Sequence, residues 1–164
     1  MLYEVGYDQV SSNDQQPFVR KHNAAGTQLW YHRHDTTNAD MKAVAVALDA
    51  QSRPYVLFSV DGGGTVSIIT RLNPENGQIV HGTFLRARLT NGNTNTFRPT
   101  GLAVVGDTVL VDAASAYWAP GAGATQGNWQ QYSTDGATGN GRFRVGLPLD
   151  LSALSSVTRL GDND

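Results

Sequence analysis

Four short apolar segments separated by turn-forming residues most constrain what this chain can fold into. They fall within residues 17–64 and are rich in Val, Leu, Tyr, Phe and Trp: 18–22, 28–34, 43–48 and 55–60. Their connections carry Gly, Asn, Asp and Pro, which either tolerate or preset turn dihedrals. Apolar runs bounded in this way predict β-strands. A single four-stranded sheet exposes both of its faces, so we expect it to pack against neighbours.

The same pattern recurs twice along the chain. A second copy begins at Ile68, and its turn at 73–77 matches the turn at 23–26. A third copy begins at Trp129 and lacks a fourth strand, which we place at residues 2–8. The copies start at intervals of 50, 61 and, through the termini, 53 residues, which sum to the chain length of 164. We predict three blades: 17–64, 65–121, and 127–164 completed by 2–8.

A period of about 50 residues is typical of propeller blades. A radial array of four-stranded sheets has no free edge once it closes on itself. A chain that ends on a third strand and begins with a fourth is suited to such closure, because it is circularly permuted by one strand. Segment 43–48 alternates very small and larger residues. This pattern fits either the strand nearest a propeller axis or a central strand buried on both faces.

The first copy resembles the SBBP-type β-propeller repeat of bacterial secreted and surface proteins. The matching residues are Phe18-Val19-Arg20-Lys21, Gly26, Leu29-Trp30 and 46–49. Asn23 stands where the family has Asp, and Arg53-Pro54 stands where the family has Gly before the tyrosine. The resemblance implies a propeller, seven-bladed in the family, and an extracellular or cell-surface location. Its motif consists of strand and turn residues, so it implies no catalytic residue.

Three blades are too few for a closed ring, because propellers typically have about four to eight. We therefore predict an all-β, six-bladed propeller formed by a homodimer, in which strand 2–8 of each subunit completes the third blade of the other. One alternative is that the chain is a segment of a larger propeller. Another is a single all-β domain whose modules pack as a barrel or a sandwich.

Composition narrows the range of partners. Only 16% of the residues are charged and the net charge is -2, so no basic stripe for nucleic acid is expected. The chain has no cysteine, which excludes disulfides and thiolate metal sites. No apolar run approaches the roughly 18–20 residues of a membrane helix. The first residues do not read as a signal peptide, so an exported protein would be present here as a mature form or an excised part.

No set of residues predicts catalysis, and no cofactor is expected. His32 and His34 would point the same way from a strand, and His22 or Asp35 could join them at a metal. Because the spacing defines no third ligand, we predict no metal site. Carboxylates occur in pairs only at turn positions, and no acid–base couple emerges.

Aromatic residues near each module are the strongest candidates for binding. Aromatic faces beside planar amides are suited to sugars and flat ligands, although aromatics packed between blades would look the same in sequence. Two long loops, 88–99 and 116–127, distinguish the modules. The predicted ligand-binding residues are Trp30, Tyr31, Asn93, Asn95, Tyr117 and Trp118. The predicted function is a non-catalytic module that binds a glycan or a protein; the alternatives are a propeller hydrolase or lyase with a channel metal, and a purely structural assembly segment.

Overall fold

The computed structural model describes residues 1–34, 39–62, 65–85, 87–88, 94–115 and 141–162. Within these ranges every regular element is a β-strand. The strands are β1 (Leu2–Ser11), β2 (Asp14–His22), β3 (Gln28–Arg33), β4 (Asp40–Leu48), β5 (Pro54–Asp61), β6 (Thr65–Leu72), β7 (Ile79–Leu85), β8 (Ala87–Arg88), β9 (Thr94–Asn95), β10 (Phe97–Val105), β11 (Thr108–Ser115), β12 (Gly141–Pro148) and β13 (Ser156–Gly161). The predicted all-β class is confirmed. A search of the same residues finds no helix long and apolar enough to cross a membrane.

The strands form three antiparallel sheets. Sheet 1 has the order β1-β2-β3, sheet 2 the order β4-β5-β6-β7 and sheet 3 the order β10-β11-β12-β13, while β8 and β9 form a separate small pair. Each of the three sheets is therefore a simple up-and-down meander. Within the described residues, no sheet closes on itself.

The boundaries between the sheets lie at different positions in the chain from the boundaries predicted between blades. Segments 18–22 and 28–34, predicted to share a blade with 43–48 and 55–60, pair with β1 instead. Strands β4 and β5 pair onward with β6 and β7. The reason lies in the connections: Asp61 pairs with Thr65 across a tight hairpin, and such a short link requires the joined strands to be antiparallel neighbours.

The strands predicted to form the third blade also belong to two different sheets within one chain. Strand β1, predicted to complete residues 127–164, pairs with β2 from Leu2 to Ser11. Strands β12 and β13 extend the sheet of β10 and β11. Whether β1 also pairs with a second copy of the chain stays a prediction, since the structure contains one copy.

Sheet 2 lies in the middle of a three-layer stack. Because successive side chains of a strand point to opposite faces, β5 contributes to both of its interfaces. Val56 and Phe58 pack with Val19 of sheet 1 in one buried cluster, which we call the first core. Tyr55 and Leu57 pack with residues of sheet 3 in the second core. The continuous apolar run of β5 is explained by this burial on both faces.

Strand β4 is an edge strand, in contrast to one of the two interpretations of its small-residue pattern. Val44 is 45% exposed, so the strand is not buried on both faces. It lies against β1, β2 and β10, where the three sheets approach one another. Small side chains allow this close approach.

Candidate functional site

The two described members of the predicted binding set lie on opposite faces of β3, because Trp30 and Tyr31 are consecutive in a strand. Trp30 belongs to the junction between sheets 1 and 2. Its Nε1 donates a hydrogen bond to the carbonyl oxygen of Pro74 at 3.1 Å, and Lys21 Nζ donates to the same oxygen. The indole also covers Gly77, where a Cβ atom would lie 2.8 Å from Trp30 Cε3. Trp30 therefore has a packing role.

Tyr31 lies on the outer face of sheet 1, which is turned away from sheet 2. Its hydroxyl donates to Asp8 Oδ2 at 2.8 Å, and Arg33 Nη2 lies 2.9 Å from the same oxygen. Hydrogen bonds from Tyr31 and Arg33 lower the pKa of the Asp8 carboxyl below its usual value. The Tyr31 ring stacks against Phe18 with centroids 6.0 Å apart, and Arg20 lies over the Phe18 ring at 4.3 Å. This outer face is thus aromatic and cationic, with an acidic neighbour.

The remaining predicted binding residues cannot be placed beside these two. Asn93, Tyr117 and Trp118 lie outside the described residues, as do residues 89–93 and all of loop 116–127. The predicted loop 88–99 is shorter than expected, because β9 and the start of β10 lie within it. Asn95 pairs with Ala87 in the β8–β9 ladder, and its side chain is not described. A shared ligand surface built from these loops stays a prediction.

Histidine side chains form a column of rings along the inner face of β3. Centroid distances are 5.9 Å from Trp30 to His32, 5.7 Å from His32 to His34 and 6.1 Å from His34 to Phe58. His34 is only 8% exposed. Burial, with a smaller contribution from His32, lowers the pKa of His34 to about 4. A search of the described residues finds no group of three or more His, Cys, Asp or Glu side chains placed to hold a metal ion.

A cavity of about 290 Å³ adjoins His34, between the end of β3 and the face of sheet 2. Its lining is almost entirely apolar: His34, Met41, Phe58, Ile68, Thr70, Ile79, Gly82, Thr83 and Phe84. The Nε2 atom of His34 is buried and has no hydrogen-bond partner among the described residues. Sequence reasoning missed this cavity, because its walls come from two sheets. The one local signal was Gly82, a residue without a side chain in the interior of β7.

A second concavity, of about 360 Å³, lies on the outer face of sheet 3. Small and aliphatic residues form its floor, among them Gly101, Ala103 and Leu110. Arg144 borders it and makes a two-pronged ion pair with Asp112, with Nε–Oδ1 at 2.7 Å and Nη2–Oδ2 at 2.8 Å. This geometry fixes the planes of both groups. The concavity is therefore a shallow groove with one rigid polar margin.

The chain matches no protein-family model, no curated protein and no solved structure.

Proposed function

We propose that this chain is a non-catalytic binding and scaffold module of a secreted or surface bacterial protein. Two copies would close into a six-bladed β-propeller that binds a glycan or a protein through the loops between strands. The observation that carries the proposal is that the three-sheet stack is open at both ends. Sheet 2 is covered on both faces, whereas sheets 1 and 3 each leave one face uncovered among the described residues.

The two junctions inside the stack are built alike, which supports a propeller-type repeat. At the first junction, Lys21 is paired with Tyr3 across the sheet and donates to the Pro74 carbonyl. At the second, Arg71 is paired with Tyr55, and both donate to the Leu149 carbonyl, at 3.4 Å and 2.8 Å. In each case a cationic side chain of one sheet donates to a backbone carbonyl oxygen in a turn of the sheet that follows it in the chain. The same contact is expected to recur when each sheet is related to the next by the same rotation.

The two open faces differ in the size of the side chains that they present. Sheet 1 presents large groups, with Arg20 lying over the rings of Phe18 and Tyr31. Sheet 3 presents the groove floored by Gly101 and Ala103. Packed layers commonly interdigitate by placing the large side chains of one sheet against the small side chains of the next. A head-to-tail contact of this kind, made twice, closes two copies into a ring.

The free edge of β1 gives the proposed ring a second contact. In sheets 2 and 3, β5 and β11 are each flanked by the strand before them, β4 and β10. The corresponding position beside β1 is vacant in the part of the chain that the structure describes. The sequence of residues 157–164 followed by 2–8 parallels the β4–β5 and β10–β11 hairpins. We therefore propose that β13 of the second copy occupies the position beside β1. To do so, β13 would have to separate from β12 of its own chain.

Solution mass tests the assembly. Light scattering behind a sizing column should give 35.2 kDa, twice the 17.6 kDa of one chain. Ala103→Lys places a charge on the outer face of sheet 3, where Ala103 is exposed in the single chain. This variant should remain folded and elute as a 17.6 kDa monomer, because the ring would bury the new ammonium group.

Asp107→Lys is the matched control. Asp107 is exposed in the hairpin turn after Val105, outside the groove, so the variant should keep the mass of the dimer. A wild-type mass of 17.6 kDa would rule out the two-copy ring. An Ala103→Lys variant that stays dimeric would show that the outer face of sheet 3 is not the contact.

Ligand binding is tested separately on a glycan array. Binding that is lost in Trp118→Ala and kept in His32→Ala would support recognition through loop 116–127. Binding that survives in Trp118→Ala would exclude this loop as the site. A dimer without any glycan or protein ligand would favour the purely structural role.

A further inference from the structure

The cavity beside His34 is separate from the open faces and loops used above. Its floor is one face of sheet 2: Phe58, Ile68 and Phe84 lie side by side across β5, β6 and β7. The next pair along, Thr70 opposite Gly82, has little side-chain volume. A Cβ atom at Gly82 would lie 3.3 Å from Thr70 Cγ2 and 3.9 Å from Ile79 Cγ2. The absence of a side chain at Gly82 therefore widens the cavity.

Three lining residues have polar side chains: His34, Thr70 and Thr83, and the Thr83 Oγ1 atom is buried with no hydrogen-bond partner among the described residues. The imidazole of His34 forms one wall, and its buried Nε2 has no hydrogen-bond partner among the described residues. The Thr70 hydroxyl donates to the Val56 carbonyl at 3.4 Å, which leaves its lone pairs able to accept. Buried polar atoms are normally paired, and an unpaired one costs free energy. A ligand with a hydroxyl group could pair with these groups after a small rotation of the imidazole.

The described lining residues include no charged side chain, and this restricts the chemistry of the ligand. An ionised carboxylate or ammonium group would lose its hydration here without gaining a counter-charge, which is costly. Aromatic walls favour a ring, since aromatic pairs gain from offset or edge-to-face contacts. Cavity size sets the scale: an apolar cavity of about 150 Å³ holds benzene, so about 290 Å³ suits a ligand of roughly ten non-hydrogen atoms.

We propose that this cavity binds a small, uncharged aromatic alcohol of the phenol class, with its ring among Phe58, Ile68 and Phe84 and its hydroxyl hydrogen-bonded to His34. The neutral imidazole can accept the phenolic proton in a hydrogen bond or donate to the phenolic oxygen, according to its tautomer. No proton is transferred and no bond is made or broken. The site is a binding site and does not depend on whether the chain forms a ring.

Three probes of similar shape test the proposal: p-cresol, toluene and p-toluate. The readout is the methyl NMR signals of Met41, Ile68 and Ile79 during titration of the full chain. We expect p-cresol to shift these signals saturably. Toluene, which lacks the hydroxyl, should bind roughly 2- to 12-fold more weakly, the equivalent of one hydrogen bond. The p-toluate anion should bind most weakly.

His34→Phe keeps a ring in the wall and removes the hydrogen bond, so its affinity for p-cresol should fall to that for toluene. His32→Phe changes a ring on the same strand that is not part of the lining, and it should bind p-cresol like the wild type. Gly82→Ala narrows the cavity and should weaken all three probes, which provides a test if His34→Phe fails to fold. Unchanged signals of Leu147 and Leu151 in the second core would report a native fold.

Two results would overturn the proposal. The first is the absence of saturable shifts at Met41, Ile68 and Ile79 with p-cresol. The second is equal affinity for p-cresol and toluene together with unchanged p-cresol binding in His34→Phe. That combination would describe an apolar void without a hydroxyl-recognition site.

Discussion

Acid should destabilise this protein through His34 well before most carboxylates are protonated. The side chain is nearly buried, and its pKa falls to about 4 in the folded state. In the unfolded chain an imidazole has a pKa of about 6.5. At pH values well above 6.5 both states are neutral at this residue, so its titration does not affect stability there. As pH falls from 6.5 to 4, only the unfolded state takes up the proton, and stability declines across that window.

The size of the loss follows from the two pKa values. The linkage relation gives about 3 kcal/mol of lost stability at pH 4 relative to pH 7. A domain of this size is stabilised by about 5–15 kcal/mol in total, so the change is large enough to measure. Burial of the imidazole, and to a smaller extent the electrostatic effect of His32, oppose protonation of His34 in the folded state.

Urea unfolding at several pH values between 7 and 4 would measure the effect in the wild type and in His34→Phe. The difference in unfolding free energy between them should change by about 3 kcal/mol over this range. Carboxylates that titrate in the same range are common to both proteins and cancel. His81→Phe removes a different imidazole and should retain the acid loss, because His34 remains. Parallel pH profiles for the wild type and His34→Phe would refute the reasoning.

Two further predictions concern the junctions between sheets. Gly77→Ala should lower the free energy of unfolding by about 2–3 kcal/mol, because φ is +74° and the new methyl group would lie 2.8 Å from Trp30. Gly26→Ala should lower it by only about 1–2 kcal/mol, because φ is +83° but no atom lies within 4 Å of the new methyl group. Thermal unfolding of the pair separates the two costs, and equal losses would show that the Trp30 contact is not close. Tyr55→Phe removes the hydrogen bond of 2.8 Å to the Leu149 carbonyl and should lower stability by about 1 kcal/mol, or roughly 2–4 °C in Tm. An unchanged Tm would mean that this bond is replaced by water.

Much of the secondary structure could be predicted from local sequence. Alternation and turn chemistry located the strands around Phe18, Trp30 and Val56, because these signals act over a few residues. The turn at Asn23 and the turn at Asn73 are also alike in structure: the side-chain Oδ1 of each asparagine accepts a hydrogen bond from the backbone N–H two residues later, at 2.9 Å. Local hydrogen bonding of this kind depends only on nearby residues.

Grouping of strands into sheets could not be predicted from the same signals. The β4–β5 and β5–β6 connections are both short hairpins, and the repeat pattern favoured a boundary at the second of them. Pairing between Phe58 and Ile68 places that boundary inside a sheet. The role of Trp30 was open for a similar reason: an aromatic on a strand can face a ligand or a neighbouring sheet. Its hydrogen bond to Pro74, 44 residues away, shows a packing contact between sheets 1 and 2, while ligand binding by Trp30 stays a prediction.

The sequence by itself determined that this protein is all-β, where most of its strands and turns lie and which chemistries its composition disfavours. These properties follow from steric preferences, periodicity and residue content, which do not need long-range contacts. Only the tertiary structure decided that β5 is buried on both faces, that Trp30 is the one of the Trp30–Tyr31 pair that faces sheet 2, and that His34 borders an apolar cavity. Each of these depends on which sheet packs against which, and that choice is made by burial of whole faces between distant segments.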